Sequence, residues 1–376
     1  MIDCEPIHKP GGPNLRWNGR FAAYAATAWC QRHLQPVARA GGWPLSNDLK
    51  TRFAGELVIV SSAADEKAAL AAGAWGTVLM EHGAGQSYQD PMLPADSVWR
   101  GGRGLAQGRK LFLAPGQLLA KRHRDAHPHI PVEVIGSPAM DVWQGRQWLP
   151  TRPRPVVCLS GHWDCQTLPE TRSAWPWVKE ALPELAADPR WELILHHHPF
   201  ERQQVLDEKL ATCQRLGIRL EPSWQEVLES VDLFVTDNSS TLYEFAATGR
   251  PVVALNPPWY RRSARHGLRF WQHVPGLQVH DLTSLNATVA EALTDPPAAQ
   301  AVRREAVLAA FTWLDGRATE RAVQAIRRFG LEAKGALAEG PKVGSRQASE
   351  TEAGQCDIQQ VLTLPSIGRW KFKRRF

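Results

Sequence analysis

Short runs of aliphatic and β-branched residues recur along this chain, each followed by a stretch of helical character, and the alternation occurs twice. Runs at 57–62, 77–80, 110–115 and 132–137 form the first series. Runs at 156–161, 191–198, 231–237 and 251–256 form the second, with a minor strand at 218–220. Between them lie helical segments at 63–73, 116–126, 172–187, 201–215, 223–230 and 239–249. Strands joined through helices must run parallel, and their crossovers are right-handed. The pattern therefore predicts an α/β protein of two Rossmann-like domains with parallel sheets facing across a cleft. Segment 21–40 reads as one helix by composition, and further helices are expected at 284–293, 297–313 and 317–329.

A stretch rich in Pro, Trp and Arg at 143–155 reads as the connection between the series. The expected organisation is an acceptor-side domain over 1–150, a nucleotide-donor domain over 151–330, and a flexible linker with a basic aromatic tail over 331–376. With 376 residues, each domain is large enough to bury a core of its own. In open α/β sheets ligands bind beyond the carboxyl ends of strands, so residues directly after each strand are the candidates for function.

Charge narrows the partners. The chain is +6 overall, but the last eight residues hold five cations and no acid; without them 39 basic residues face 38 acids. A nearly neutral body gives no footprint for a nucleic acid, which is not expected as a partner. Five cations interleaved with Trp370, Phe372 and Phe376 instead suit peripheral contact with an anionic membrane through 369–376. The six cysteines contain no C-x-x-C pair and read as thiols of a reducing compartment. No apolar run is long enough to span a bilayer, and the first twelve residues lack the apolar core of a secretory signal. A cytoplasmic location, peripheral on the inner face of the membrane, is the expectation.

Three post-strand segments carry chemistry. Thr236 and Asp237 end a strand, and Ser239, Ser240 and Thr241 open a helix, where free N–H groups and hydroxyls suit phosphate. Thr241 with Glu244 also fits a capping box, which needs no ligand. The run 193–200 places His198 at the carboxyl end of a strand, with Arg202 four residues on. Adjacent histidines on one strand cannot all reach one ion, so no metal site and no cofactor are expected. His82, followed by Gly83, stands directly after the 77–80 strand, where a neutral imidazole can act as general base on an alcohol. Gly136 with Ser137 and Pro138, and Gly161 with His162, are lesser candidates that also fit tight turns.

In this order, the sites make the chain resemble the CDP-glycerol glycerophosphotransferase family over roughly 57–315. The resemblance rests on His82–Gly83, Gly136–Ser137–Pro138, His198–Pro199, and the series Thr236, Asp237, Asn238, Ser239, Ser240, Glu244, Arg250 and Pro251. It implies a GT-B fold, with His82 as base and His198, Ser239 and Ser240 on the donor phosphates. Asp237, Thr241, Glu244, Arg202 and Gly136 complete the expected donor site. The implied function is metal-independent transfer of a glycerophosphate or glycosyl group from a nucleotide-activated donor to an acceptor hydroxyl, on a glycan, a polyol phosphate or a lipid-linked molecule. A hydrolysing UDP-GlcNAc 2-epimerase and a non-catalytic nucleotide-sugar or glycan-binding protein are the alternatives.

Overall fold

A computed structural model describes residues 15–48, 50–84, 109–146, 152–165, 169–261 and 273–339. The first half holds β1 (Phe21–Tyr24), α1 (Ala28–Gly41), β2 (Leu45–Ser46), β3 (Leu57–Val60), α2 (Ala63–Ala71), β4 (Gly76–Met80), β5 (Lys110–Ala114), α3 (Gln117–Ala126) and β6 (Val132–Val134). Its strands form a parallel sheet in the order β2-β1-β3-β4-β5-β6. The second half holds β7 (Val156–Leu159), α4 (Trp175–Val178), α5 (Leu182–Ala187), β8 (Glu192–His196), α6 (Gln203–Leu216), β9 (Arg219–Glu221), α7 (Trp224–Ser230), β10 (Leu233–Thr236), α8 (Thr241–Ala246), β11 (Val252–Leu255), β12 (Leu277–Val279), α9 (Leu285–Leu293) and α10 (Pro297–Phe311). Its sheet is also parallel, in the order β12-β11-β10-β7-β8-β9.

Both faces of each sheet are covered, which is why the strands are continuously apolar rather than alternating. Leu57 and Ile59 point to a core built with Leu34 and Val37 of α1; Val58 and Val60 point the other way, to Ala69 of α2. In the second sheet Cys158 and Phe234 pack toward α7 and α8, while Leu159 and Val235 pack toward α4, α5 and α9. Strand order reverses between β1 and β3 in the first sheet and between β7 and β10 in the second. Those reversals open crevices at the strand ends.

The helix expected over 21–40 is two elements. Residues 21–24 pair with β3 from Phe21 opposite Leu57 to Tyr24 opposite Val60, and the helix begins only at Ala28. Buried sheet pairing overrides the helical preference of Ala22, Ala23 and Ala25. The helix expected over 172–187 is broken into α4, a 3₁₀ turn and α5, because Pro183 at the start of α5 has no N–H to continue the ladder. The helix opened at 239 is the six-residue α8, stopped before Gly249, which takes a positive φ of 84°.

The final helix, α11 (Ala318–Glu339), runs past the point where a flexible linker was expected to begin at 331. It packs on the first sheet, with Ala322, Ile326 and Phe329 in the core that holds Ala23 and Leu57, although the sequence reading grouped it with the second half. A Cβ on Gly330 would lie 2.7 Å from the Phe21 ring, so a helix-interior glycine permits this contact. Asp141 caps α11, accepting from the N–H groups of Ala318 at 3.0 Å and Thr319 at 2.8 Å. Trp143, read as linker, is buried beside Met140 and Cys158. The expectation placed on the tail 369–376 lies outside the described residues.

Candidate active site

A cavity of about 560 Å³ opens between the strand ends of the two halves. From the first half it is lined by Trp29, Arg32 and His33 of α1, and by Glu81 and His82 after β4. The second half contributes Ser160, His162, His198, Trp224, Ser239, Ser240, Thr241 and Glu244. The two expected histidines and the hydroxyl cluster thus meet in one place, although more than a hundred residues separate His82 from His198.

Backbone partners fix the two histidines in opposite tautomers. Nδ1 of His82 lies 2.8 Å from the carbonyl of Ser61, which can only accept, so Nδ1 carries a proton and in the neutral ring Nε2 has the lone pair. For His198 the backbone N–H of Phe200 donates to Nδ1 at 3.1 Å, so in the neutral ring the proton sits on Nε2. Burial, and next the neighbouring His162, push the His198 pKa down to about 3. One imidazole is therefore built to accept a proton and the other to donate a hydrogen bond.

Other buried histidines support this pair. Burial holds His196 down to about 3 and His162 to about 4. His196 Nδ1 and the Ser160 hydroxyl lie 2.9 Å apart, tying the ends of β8 and β7. Glu81, beside His82, is raised by burial.

The hydroxyl cluster divides by role. Thr241 donates to the Ser239 hydroxyl at 2.7 Å, and its backbone N–H reaches the same oxygen at 3.4 Å. Ser239 is thus committed to the turn into α8, while Ser240 stands at the seam between the halves. A Cβ on Gly83 would lie 2.9 Å from both the Ser240 hydroxyl and Glu244 Oε1, and Gly83 takes a positive φ of 61°. The close approach of the loop after β4 to α8 needs glycine on both counts.

The capping box does not form: Ser240 stands at the N-cap with no side-chain cap bond. Glu244 turns instead to Trp224, whose indole N–H donates at 3.0 Å, and to Arg32, which donates through Nη2. Three further expected donor-site residues are not among those lining the cavity. Asp237 accepts from the backbone N–H of His162 at 2.8 Å and of Ala174 at 2.7 Å, so it ties two loops together, and burial pushes its carboxyl up to about 7. Arg202 is exposed at the N-cap of α6. Gly136, at φ 87°, makes room for Ala318 at the start of α11. Arg250, part of the motif, is spent on the carbonyls of Leu228 and Val231 and on Thr248 at 2.9 Å.

Sequence reasoning missed Trp29, Arg32, His33 and Trp224, which reach the cavity from helices rather than from strand ends. Among the described residues no group of three or more His, Cys, Asp or Glu side chains is arranged to hold a metal ion. No helix of the described residues is long and apolar enough to cross a membrane.

Residues 179–328 match the family model described as CDP-glycerol:poly(glycerophosphate) glycerophosphotransferase. Among solved structures the chain is similar to the wall teichoic acid polymerase TagF soaked with CDPG, with a TM-score of 0.55 and 12% identity over 84% of this chain and 90% of that one. It is also similar to a protein from Listeria monocytogenes described as a UDP-N-acetylglucosamine 2-epimerase (TM-score 0.54, 14% identity, 83% and 97% covered). A third likeness is to S. aureus MnaA with UDP (TM-score 0.52, 13% identity, 84% and 97% covered). No curated protein matches the sequence. The architecture is the GT-B fold, as the family resemblance implied.

Proposed function

We propose, for a chain whose residues 179–328 carry the glycerophosphotransferase signature, that it is a transferase moving a glycerophosphate group from a nucleotide-activated donor such as CDP-glycerol to an acceptor hydroxyl during cell-envelope polymer synthesis. The observation that carries this reading is the pair of opposed tautomers in one cleft, His82 with a free Nε2 lone pair and His198 with Nε2–H. In the proposed step the acceptor O–H gives its proton to His82 Nε2. Its oxygen bonds to the phosphorus that bears glycerol, and the bridging P–O bond breaks, so CMP leaves with the electron pair. His198 Nε2–H and the Ser240 hydroxyl hydrogen-bond the phosphate oxygens as charge shifts onto the leaving group. A neutral donor such as His198 stabilises that charge without having to lose a proton. With a nucleotide-sugar donor the same groups would serve attack on the anomeric carbon.

The epimerase alternative calls for several cleft carboxylates. The described lining offers Glu81 and Glu244, and Glu244 is already paired with Arg32. Peripheral membrane contact through 369–376 belongs to the same proposal, since an envelope polymer is assembled at the membrane. Truncation after Leu364 would then abolish binding to anionic vesicles at low salt.

The deciding experiment incubates the protein with CDP-glycerol, and separately with UDP-, GDP- and CDP-sugars, each with and without polyol-phosphate and glycan acceptors. Acceptor-dependent release of CMP from CDP-glycerol is expected. Release of a nucleoside diphosphate would instead identify a glycosyltransferase, and tight binding without release a non-catalytic binding protein.

A further inference from the structure

The described lining of the cavity contains one Arg or Lys, Arg32. It projects from α1 of the first half and its side chain is 21% exposed, whereas its partner Glu244, on α8 of the second half, is 2% exposed. Both N–H groups of Nη2 are engaged. One donates to Glu244 Oε2, and the other lies toward His33 Nε2, with Nη2 3.2 Å from that nitrogen.

Arginine cannot accept, so His33 Nε2 must be the acceptor and the ring neutral. Burial first, and then the Arg32 charge itself, hold the His33 pKa well below its usual value, in keeping with that assignment. Glu244 is in turn fixed by the indole N–H of Trp224 at 3.0 Å. One corner of the guanidinium is therefore gripped by two buried side chains, one of which is itself held by Trp224.

The rest of the fork is uncommitted. Nε and Nη1 together carry three N–H donors, and among the described residues none has a hydrogen-bond partner. Nη1 lies on the Cδ side of the guanidinium and Nε–H on the Nη2 side, so these donors reach phosphate oxygens singly, from a cation whose orientation is already fixed. His162, His196 and His198 do not supply the charge, because burial keeps them neutral.

We propose that Arg32 is the phosphate-binding cation of this cleft, aimed by Glu244 and His33, with Nη1–H donating to an oxygen of a ligand phosphate. The proposal deepens the transferase reading and rests on it for the identity of the ligand, though not for its phosphate chemistry. That phosphate belongs either to the nucleotide diphosphate of the donor or to a phosphate of the acceptor. Glu244, expected to bind the donor directly, becomes a positioning residue.

The test is calorimetric binding of CDP, cytidine, inorganic pyrophosphate and glycerol 3-phosphate to the full-length protein and to Arg32→Gln, Arg32→Lys, Glu244→Gln and the double variant Arg32→Gln/Glu244→Gln. The double variant leaves no unpaired buried charge, so it keeps the comparison valid if Arg32→Gln alone unfolds. Removing Arg32 should weaken CDP and pyrophosphate about 10- to 100-fold while leaving cytidine unchanged, and Arg32→Lys should recover only part of the loss. Loss confined to glycerol 3-phosphate would assign Arg32 to the acceptor phosphate and equally support the proposal. Glu244→Gln should weaken the same phosphate ligand when Arg32 is present and have no further effect in its absence. Wild-type affinity for every phosphate ligand in both Arg32→Gln and the double variant overturns the proposal, as does a wild-type protein that binds none of them. If pyrophosphate binds through Arg32 but CDP does not bind at all, the transferase reading fails while the proposal stands.

Discussion

The imidazole of His82 donates through Nδ1 to the carbonyl of Ser61 at 2.8 Å, and that bond leaves Nε2 as the ring's proton acceptor. Ser61 follows β3 and His82 follows β4, two adjacent parallel strands, so the tautomer is set by the sheet itself.

A base held this way should matter for chemistry and little for binding. His82→Ala is expected to lower kcat by about 10²–10⁴-fold with donor affinity nearly unchanged. Single-turnover kinetics beside calorimetry on the same variant check it, and full turnover in a folded His82→Ala removes the residue from the mechanism.

The two serines should separate. Ser239 accepts from Thr241 at 2.7 Å within the turn, so Ser239→Ala is expected to lower Tm through the loss of about 1 kcal/mol, with little change in nucleotide affinity. Ser240→Ala is expected to weaken nucleotide binding by about 1.5–3 kcal/mol with little change in Tm. Melting curves and titrations on both variants decide; the reverse assignment would make Ser239 the ligand group.

Gly83→Ala should fail at the seam. The added Cβ would stand 2.9 Å from Ser240 and from Glu244 while the backbone keeps a φ of 61°. The expected cost is about 1–3 kcal/mol of stability, with a larger loss of kcat than of donor affinity, because the shift moves His82 relative to α8. Unchanged melting and turnover would show that the loop adapts without strain.

Acid should destabilise the fold through its buried histidines. His162, His196 and His198 have native pKa values pushed down to about 4, 3 and 3, below the 6.5 of an unfolded chain. Their stabilising effect is complete above pH 6.5 and is lost as pH falls toward the native values, since the unfolded state takes up protons first. Each costs the native state up to about 2 kcal/mol at pH 5. Tm should fall between pH 7 and pH 5, more gently in His196→Asn than in the wild type; equal slopes would assign the acid sensitivity to other groups.

What the sequence determined by itself was the alternation of elements and the positions that follow strands. A strand buried on both faces must be apolar along its whole length, and a parallel connection needs a helix, so both sheets and the stations of His82, His198, Ser239 and Ser240 can be read without coordinates. The short edge strands β2 and β12 escaped that reading, and so did two elements in which tertiary contact overrode composition. The alanine-rich 21–24 is a strand only through its pairing with β3, and α11 joins the first sheet through Ala322, Ile326 and Phe329, with Gly330 admitting Phe21. The structure alone decided which polar side chains face the cleft and which are spent on the scaffold. Asp237 and Arg250 stand in the motif beside Ser240, yet their hydrogen bonds go to loop and helix backbones. Arg32, His33 and Trp224 lie in stretches with no motif; the first two meet Glu244 across the cleft, and Trp224 meets it from within the second half. Sequence periodicity records which face of an element is buried. Where a hydrogen bond from that element ends depends on neighbours brought close by folding, and for Arg32 and Glu244 those neighbours lie some two hundred residues apart.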